Sequence, residues 1–238
     1  MFKTKDLFNL FRKRKTTPTL VLLIILLIPF GLGAQNPDLG SWNILNIKYK
    51  INDRFSIFGE GQIRSLKFYD HFHYHEFKGG VNYKIHENAQ ITLAGGNYQT
   101  YKEGGDFVLP KNNNEIRIWP QLILNQTINR LKIEQRYRLE MRWTNVGYRN
   151  RFRYRVGISY AFGKDKKGYR PFQTSLNNEL FFTNTAPFFQ RNRSQISFNY
   201  KLTKHVAVQL GYIHQFDYQI NDETGRDFLV VGFYYDLF

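Results

Sequence analysis

The stretch LKIEQRYRLEMRW, Leu131 to Trp143, sorts its side chains by parity. Leu131, Ile133, Gln135, Tyr137, Leu139, Met141 and Trp143 form one set, apolar in six of seven positions. Lys132, Glu134, Arg136, Arg138, Glu140 and Arg142 form the other, charged in all six. Successive side chains of a strand point to opposite faces, whereas a helix would scatter both sets around its circumference. The spacing predicts a β-strand with one apolar and one charged face. The next segment repeats it: Phe152, Tyr154, Val156, Ile158, Tyr160 and Phe162 alternate with Arg151, Arg153, Arg155, Gly157, Ser159 and Ala161.

Similar alternation recurs near 42–50, 55–65, 75–84, 89–101, 114–125, 172–182, 193–201, 206–216 and 227–238, which makes eleven strand candidates. Most are 9–13 residues long. Globular strands average about 5–6 residues, while a tilted membrane-spanning strand needs about 9–11. Length therefore favours an all-β, antiparallel transmembrane barrel over a soluble sandwich. Short turns are expected near Asn52-Asp53, Glu87-Asn88, Thr127–Asn129 and Thr203-Lys204, with a longer connection from Gly163 to Pro171. Longer loops are expected near 66–74, 102–113, 144–150, 183–192 and 217–226, the external side of an outer-membrane barrel. Bacterial single-chain barrels have even strand numbers, so the expectation is twelve strands, with ten as the alternative.

The N-terminal segment reads as an address. Lys3, Lys5, Arg12, Lys13, Arg14 and Lys15 precede the apolar run Thr19–Phe30 and the small-residue end Gly31-Leu32-Gly33-Ala34. That order is a secretory signal peptide over 1–34, cleaved after Ala34, leaving a barrel domain over 35–238. The alternative, an uncleaved anchor, is short of the roughly 20 apolar residues that a spanning helix needs, and Pro29 interrupts it. The whole chain carries +15, and +10 remains beyond Ala34. Export makes nucleic acid a poor partner for this charge. The absence of Cys excludes disulfides, thiolate metal sites and a lipoprotein anchor. The 17% aromatic content excludes a globally disordered chain.

In a membrane barrel the apolar set meets lipid and the charged set lines the interior. The expected interior network is Glu115, Arg117, Glu134, Arg136, Arg138, Glu140, Arg142, Arg151, Arg153, Arg155, Glu179 and Arg193, with Glu60, Arg64, Glu76, Lys78, Lys132 and Arg191 on the same parity. Bases outnumber acids twelve to six in this set. Two readings follow: a structural ion-pair ladder replacing a hydrophobic core, or an anion-attracting site. Trp42 and Trp143 are candidates for the interfacial aromatic girdle.

A family resemblance rests on Glu115-Ile-Arg117-Ile-Trp119, the run Arg136 to Arg142, the run Arg151-Phe-Arg153-Tyr-Arg155, then Asn178-Glu179 and Asn192-Arg193 in that order. With the terminal strand ending in Phe238, these resemble a Gram-negative outer-membrane family catalogued as domain of unknown function 2490. The resemblance covers roughly Trp42 to Phe238. It implies a β-barrel with Arg and Glu turned inward and implies no activity. Pro120 departs from a regular strand and suggests a bulge or ladder break. A terminal aromatic on the last strand resembles the signal read by the barrel-assembly machinery.

Candidates for chemistry are sparse. His71, His73 and His75 would share one face of an extended chain, and with Asp70 form a weak metal-ligand candidate; an external loop is the alternative. No catalytic residue or cofactor is assigned. A lipid hydrolase would need a Ser beside a His, and His214 with Ser65 or Ser194 is the available pairing. No Gly-x-Ser-x-Gly elbow and no phosphate-loop motif occur. The sequence therefore predicts a monomeric protein of the bacterial outer membrane, inserted by the barrel-assembly machinery and surrounded by lipid and lipopolysaccharide. Its role is structural or that of a narrow, anion-preferring passage; the alternative is hydrolysis of lipid or lipopolysaccharide.

Overall fold

A computed structural model describes residues 39–163, 170–218 and 224–237. Residues 1–34, expected to be a signal peptide, and Phe238 lie outside the described residues. The described chain folds into eleven strands: β1 (Leu39–Lys50), β2 (Phe55–Lys67), β3 (Asp70–His86), β4 (Ala89–Lys102), β5 (Val108–Ile128), β6 (Leu131–Thr144), β7 (Gly147–Phe162), β8 (Phe172–Thr183), β9 (Phe189–Lys201), β10 (Val206–Asp217) and β11 (Thr224–Leu237). Each pairs with its sequence neighbour in an antiparallel ladder. The sheet closes when β1 meets β11 in parallel, from Leu39↔Asp227 to Tyr49↔Leu237.

This closure corrects the expected twelve strands, and the alternative ten. An odd number of up-and-down strands brings the first and last into the same direction, so an all-antiparallel barrel would need one more or one fewer. A parallel ladder is slightly less stable per residue than an antiparallel one, yet it occupies both free edges. The eleven alternating segments in the sequence were each a strand; the evenness rule was what failed.

β1 and β11 both begin at one rim, termed upper here, and end at the lower rim. The upper hairpins are tighter than the sequence suggested. Residues 66–74 were expected as a loop, yet only Phe68-Tyr69 separate β2 from β3. A bulge between Arg64 and Ser65 breaks the parity there, which hides the strand from an alternation test. A second irregularity, between Thr100 and Lys102, does the same where β5 begins. Between β6 and β7 the turn is two residues, Asn145-Val146, because Gly147 adopts φ +110°, a conformation costly for other residues. Pro120 leaves Trp119 and Pro120 unpaired with β6, while Ile118↔Met141 and Gln121↔Arg138 keep one register across the gap.

Parity then decides what each face carries. Outward positions include Phe77, Leu93, Leu210 and Ile196, all at least half exposed. Inward positions hold Glu115, Glu140, Arg151 and Glu179, all nearly or wholly buried. The molecule is apolar outside and charged inside, the inverse of a water-soluble domain. Trp143 lies outward, tilted against Tyr148 with ring centroids 5.4 Å apart. Trp42 corrects the girdle expectation: it points inward and is 4% exposed. Its place one strand from Arg64 draws a guanidinium onto its ring, which makes an aromatic side chain fit a charged interior.

Candidate functional site

The lumen holds a cavity of about 860 Å³. Fourteen Lys and Arg side chains and seven carboxylates line it, with Glu140 buried beneath them. The cross-strand register puts like charges directly opposite one another: Arg138↔Arg153, Arg136↔Arg155 and Arg117↔Arg142. Directly opposed like charges repel. Carboxylates placed one step along the strands relieve this, each shared by two or more cations.

Glu140 is the deepest of these nodes, with no exposed surface. It accepts from Arg151 Nε at 2.7 Å, Arg153 Nη1 at 2.6 Å and Arg138 Nη1 at 3.5 Å. Glu179 takes a two-bond fork from Arg153, both at 2.9 Å, and a bond from Arg136 at 2.5 Å; Arg193 stands 3.9 Å away. Glu115 receives a fork from Arg117 at 2.7 and 2.8 Å and a second pair of bonds from Arg142. Glu76 joins Arg64 at 3.2 Å, Lys78 at 2.5 Å and the Tyr74 hydroxyl. Lower in the barrel, Glu134 binds Arg155 and Lys132. Planar guanidinium forks match carboxylates geometrically, so each node is both neutralised and fixed in orientation.

Aromatic rings carry much of the remaining positive charge. The Trp42 ring lies between Arg64 at 3.4 Å and Arg193 at 4.7 Å. Phe181, 1% exposed, has Arg153 at 4.5 Å, Arg193 at 5.0 Å and Arg151 at 5.3 Å around it. Tyr98 receives Arg117 at 3.7 Å. A cation over a ring face is stabilised by the ring quadrupole, about 2 kcal/mol or more when desolvated. Compensation is still incomplete. Among the described residues the buried Nε groups of Arg64, Arg136, Arg155 and Arg193 have no hydrogen-bond partner. The cavity is thus lined by fixed donors and by more cations than carboxylates.

All twelve residues of the expected network face this lumen. Two features escaped the sequence reading. One is a charged set toward the two ends of the lumen: Asp217, bound to Arg191 and to Gln215 at 2.6 Å, and Arg226, bound to Glu103 at 2.7 Å, near the upper rim, with Lys48 lower down. The other is the inward aromatic set, Trp42, Trp119 and Phe181. Both stand on the charged parity of their strands, so parity was the available signal.

The three histidines do not converge. Near the upper rim His71 takes φ +58°, which turns the chain out of register, and it pairs with Asp70 at 2.8 Å. His73 is buried, and His75 meets the Tyr101 hydroxyl at 3.2 Å. Among the described residues no group of three His, Asp or Glu could hold a metal ion. Ser65 lies 2.6 Å from Ser41 Oγ, on the opposite side of the seam from β10. Ser194 is the direct cross-strand partner of His214.

These features define a class: a closed single-chain barrel with a parallel seam, an apolar exterior and a lumen filled by shared Arg–carboxylate nodes. The chain belongs to the family described as "Protein of unknown function (DUF2490)", which matches residues 39–226. No curated protein matches the chain.

Proposed function

We propose that the protein is an outer-membrane β-barrel whose braced, cationic lumen forms a narrow passage that prefers anions. The observation that carries this reading is the inversion of its faces. Leucine, isoleucine and phenylalanine cover the outside, from Leu124 at 38% to Phe77 at 65% exposed, a surface that water would penalise and lipid would solvate. Strands of 12 to 21 residues exceed what a tilted crossing requires. The surplus of lining cations over carboxylates sets the sign of the field that a permeating ion meets. The shared carboxylates narrow the space and keep it rigid. Export by the signal peptide and insertion by the barrel-assembly machinery complete the reading, with the folded chain a monomer in lipid.

Planar bilayers test this. The expected record is a small conductance whose reversal potential in a KCl gradient lies toward chloride. A large, cation-selective conductance would overturn the passage. Recovery of the native protein as a soluble periplasmic species would overturn the membrane location.

A further inference from the structure

On the outer surface, four polar residues stand in one cross-strand row: Asn178 on β8, Ser194 on β9, His214 on β10 and Asp227 on β11. Asn192 and Tyr212 adjoin the row on the same faces, and beyond them the surface is apolar. Phe182 and Phe216 lie nearer the upper rim, and Leu176, Ile196 and Leu210 lie below, each of these three about half exposed. Polar groups at lipid-facing positions are costly, and where they occur inside an apolar band they mark function. His214 and Asp227 are each three residues from the upper end of their strands. At about 3.3 Å per residue and about 45° tilt, that is roughly 7 Å below the strand ends. The ester bonds of membrane lipids lie at this boundary between headgroup and hydrocarbon.

The row is wired for acyl transfer. His214 Nδ1 is 2.7 Å from Asp227 Oδ1, and the Tyr212 hydroxyl donates to the same oxygen at 2.6 Å. That bond fixes the imidazole and leaves Nε2 as its basic nitrogen. Nε2 has no partner among the described residues. Directly opposed strand residues have Cβ atoms about 4.5–5.5 Å apart, which sets Ser194 beside the ring. The Asn178 side-chain amide donates to Ser194 Oγ at 3.0 Å, and Ser194 Oγ lies 3.4 Å from Asn192 Oδ1. Asn178 and Asn192 also exchange amide bonds at 3.1 and 3.2 Å, so a serine–histidine contact requires the Ser194 hydroxyl to turn from Asn192 toward Nε2.

We propose that Ser194, His214 and Asp227 form a hydrolytic site on the lipid-facing surface that cleaves long-chain carboxylic esters of membrane lipids. Ser194 Oγ attacks the ester carbonyl while its proton passes to His214 Nε2. The tetrahedral oxyanion takes the Asn178 amide hydrogen bond. Collapse breaks the carbonyl–alkoxy bond, and the departing alkoxide takes the proton from Nε2. Water then attacks the acyl-serine with His214 as base, releasing a fatty acid and restoring Ser194. Asp227 is a positioning residue that holds the imidazole tautomer. The site is separate from the lumen and rests on the membrane part of the functional reading alone.

The test uses the full folded chain in micelles, with a long-chain fluorophosphonate probe and mass-spectrometric location of the adduct. Fatty-acid release is measured from phosphatidylethanolamine vesicles in one arm and from lipopolysaccharide in the other, which separates the two ester sources. The expected result is labelling at Ser194 and release from one arm, both lost in Ser194→Ala and His214→Asn. Asp227→Asn should slow labelling at least a hundredfold while heat-modifiable gel mobility stays unchanged, a split that a structural role would not give. Absence of labelling and release in correctly folded wild type would overturn the proposal, as would activity retained in Ser194→Ala. Loss of heat-modifiable mobility in the wild type would instead strike at the membrane reading.

Discussion

The upper and lower halves of the lumen solve the same problem with different chemistry. In the upper half, Glu140, Glu179, Glu115 and Glu76 each hold two or more cations, and Trp42, Phe181 and Tyr98 are stacked against guanidiniums. In much of the lower half neutral groups bond to one another. Thr92 donates to Asn82 at 2.7 Å, Ser175 meets Ser197 at 2.7 Å, and Gln209 bonds Asn199 and the Tyr234 hydroxyl at 3.0 Å each. Neutral hydrogen bonds net about 1 kcal/mol each, and losing one partner leaves behind a dipole, which costs less than a charge. Buried charges do not tolerate such a loss, because the partner left behind is uncompensated. The barrel's rigidity and its field are therefore both concentrated in the upper half.

Truncation separates the halves. Glu140→Ala leaves Arg151 and Arg138 without a carboxylate and Arg153 with Glu179 alone, and should have the largest effect. Breaking one side of a buried ion pair costs about 3–5 kcal/mol, read as a fall in the urea midpoint for unfolding from lipid vesicles. Arg153→Ala comes next. It removes a fork to Glu179 and a bond to Glu140, but Arg136 and Arg151 still neutralise those carboxylates, so the loss should be about 3 kcal/mol, the lower end of the range for a broken buried pair. Arg155→Ala, one step lower on the same strand, touches only Glu134 in a more open setting and should cost roughly 1 kcal/mol, as a partly exposed pair does. Equal losses for Arg153→Ala and Arg155→Ala would dissolve the distinction between the halves. Gln209→Ala should have the smallest effect, about 1 kcal/mol or less in the same unfolding assay.

The same contrast extends to selectivity. Glu179→Gln keeps the shape of the node and removes one negative charge beside Arg136, Arg153 and Arg193. If the upper half sets the field, the reversal potential should move further toward chloride. Gln195→Glu, introducing a carboxylate among the lining residues one step below Arg193, should move it the other way.

Much of this architecture was legible in the chain. Alternation at Leu131–Trp143 fixes both the element and its two faces, since period two allows no other assignment. Parity also groups the network residues onto one face. It does not state how rows align. The hairpin tip at Asn145-Val146 places Arg151 directly opposite Glu140, with Arg153 reaching it from the diagonal, and that offset depends on the φ of Gly147. Nor does parity reveal Trp42 as an interior residue, because a tryptophan near a strand end fits the girdle equally well until two arginines are found against its ring. The parallel seam was hidden for a different reason: it joins residues 39–49 to 227–237, and no local pattern records that pairing. The bulges at Arg64/Ser65 and Thr100/Lys102 masked strand ends by breaking the very alternation that identifies strands.

The central claim is that the charged parity is wet and the apolar parity faces lipid. Because the chain contains no cysteine, single cysteines report one position each. Gln209 and Leu210 are adjacent on β10 and point to opposite faces. In protein refolded into lipid vesicles, a fluorophore on Leu210→Cys should be quenched by spin-labelled acyl chains and spared by iodide, and one on Gln209→Cys should show the reverse. Iodide quenching at Leu210→Cys with lipid quenching at Gln209→Cys would contradict the account.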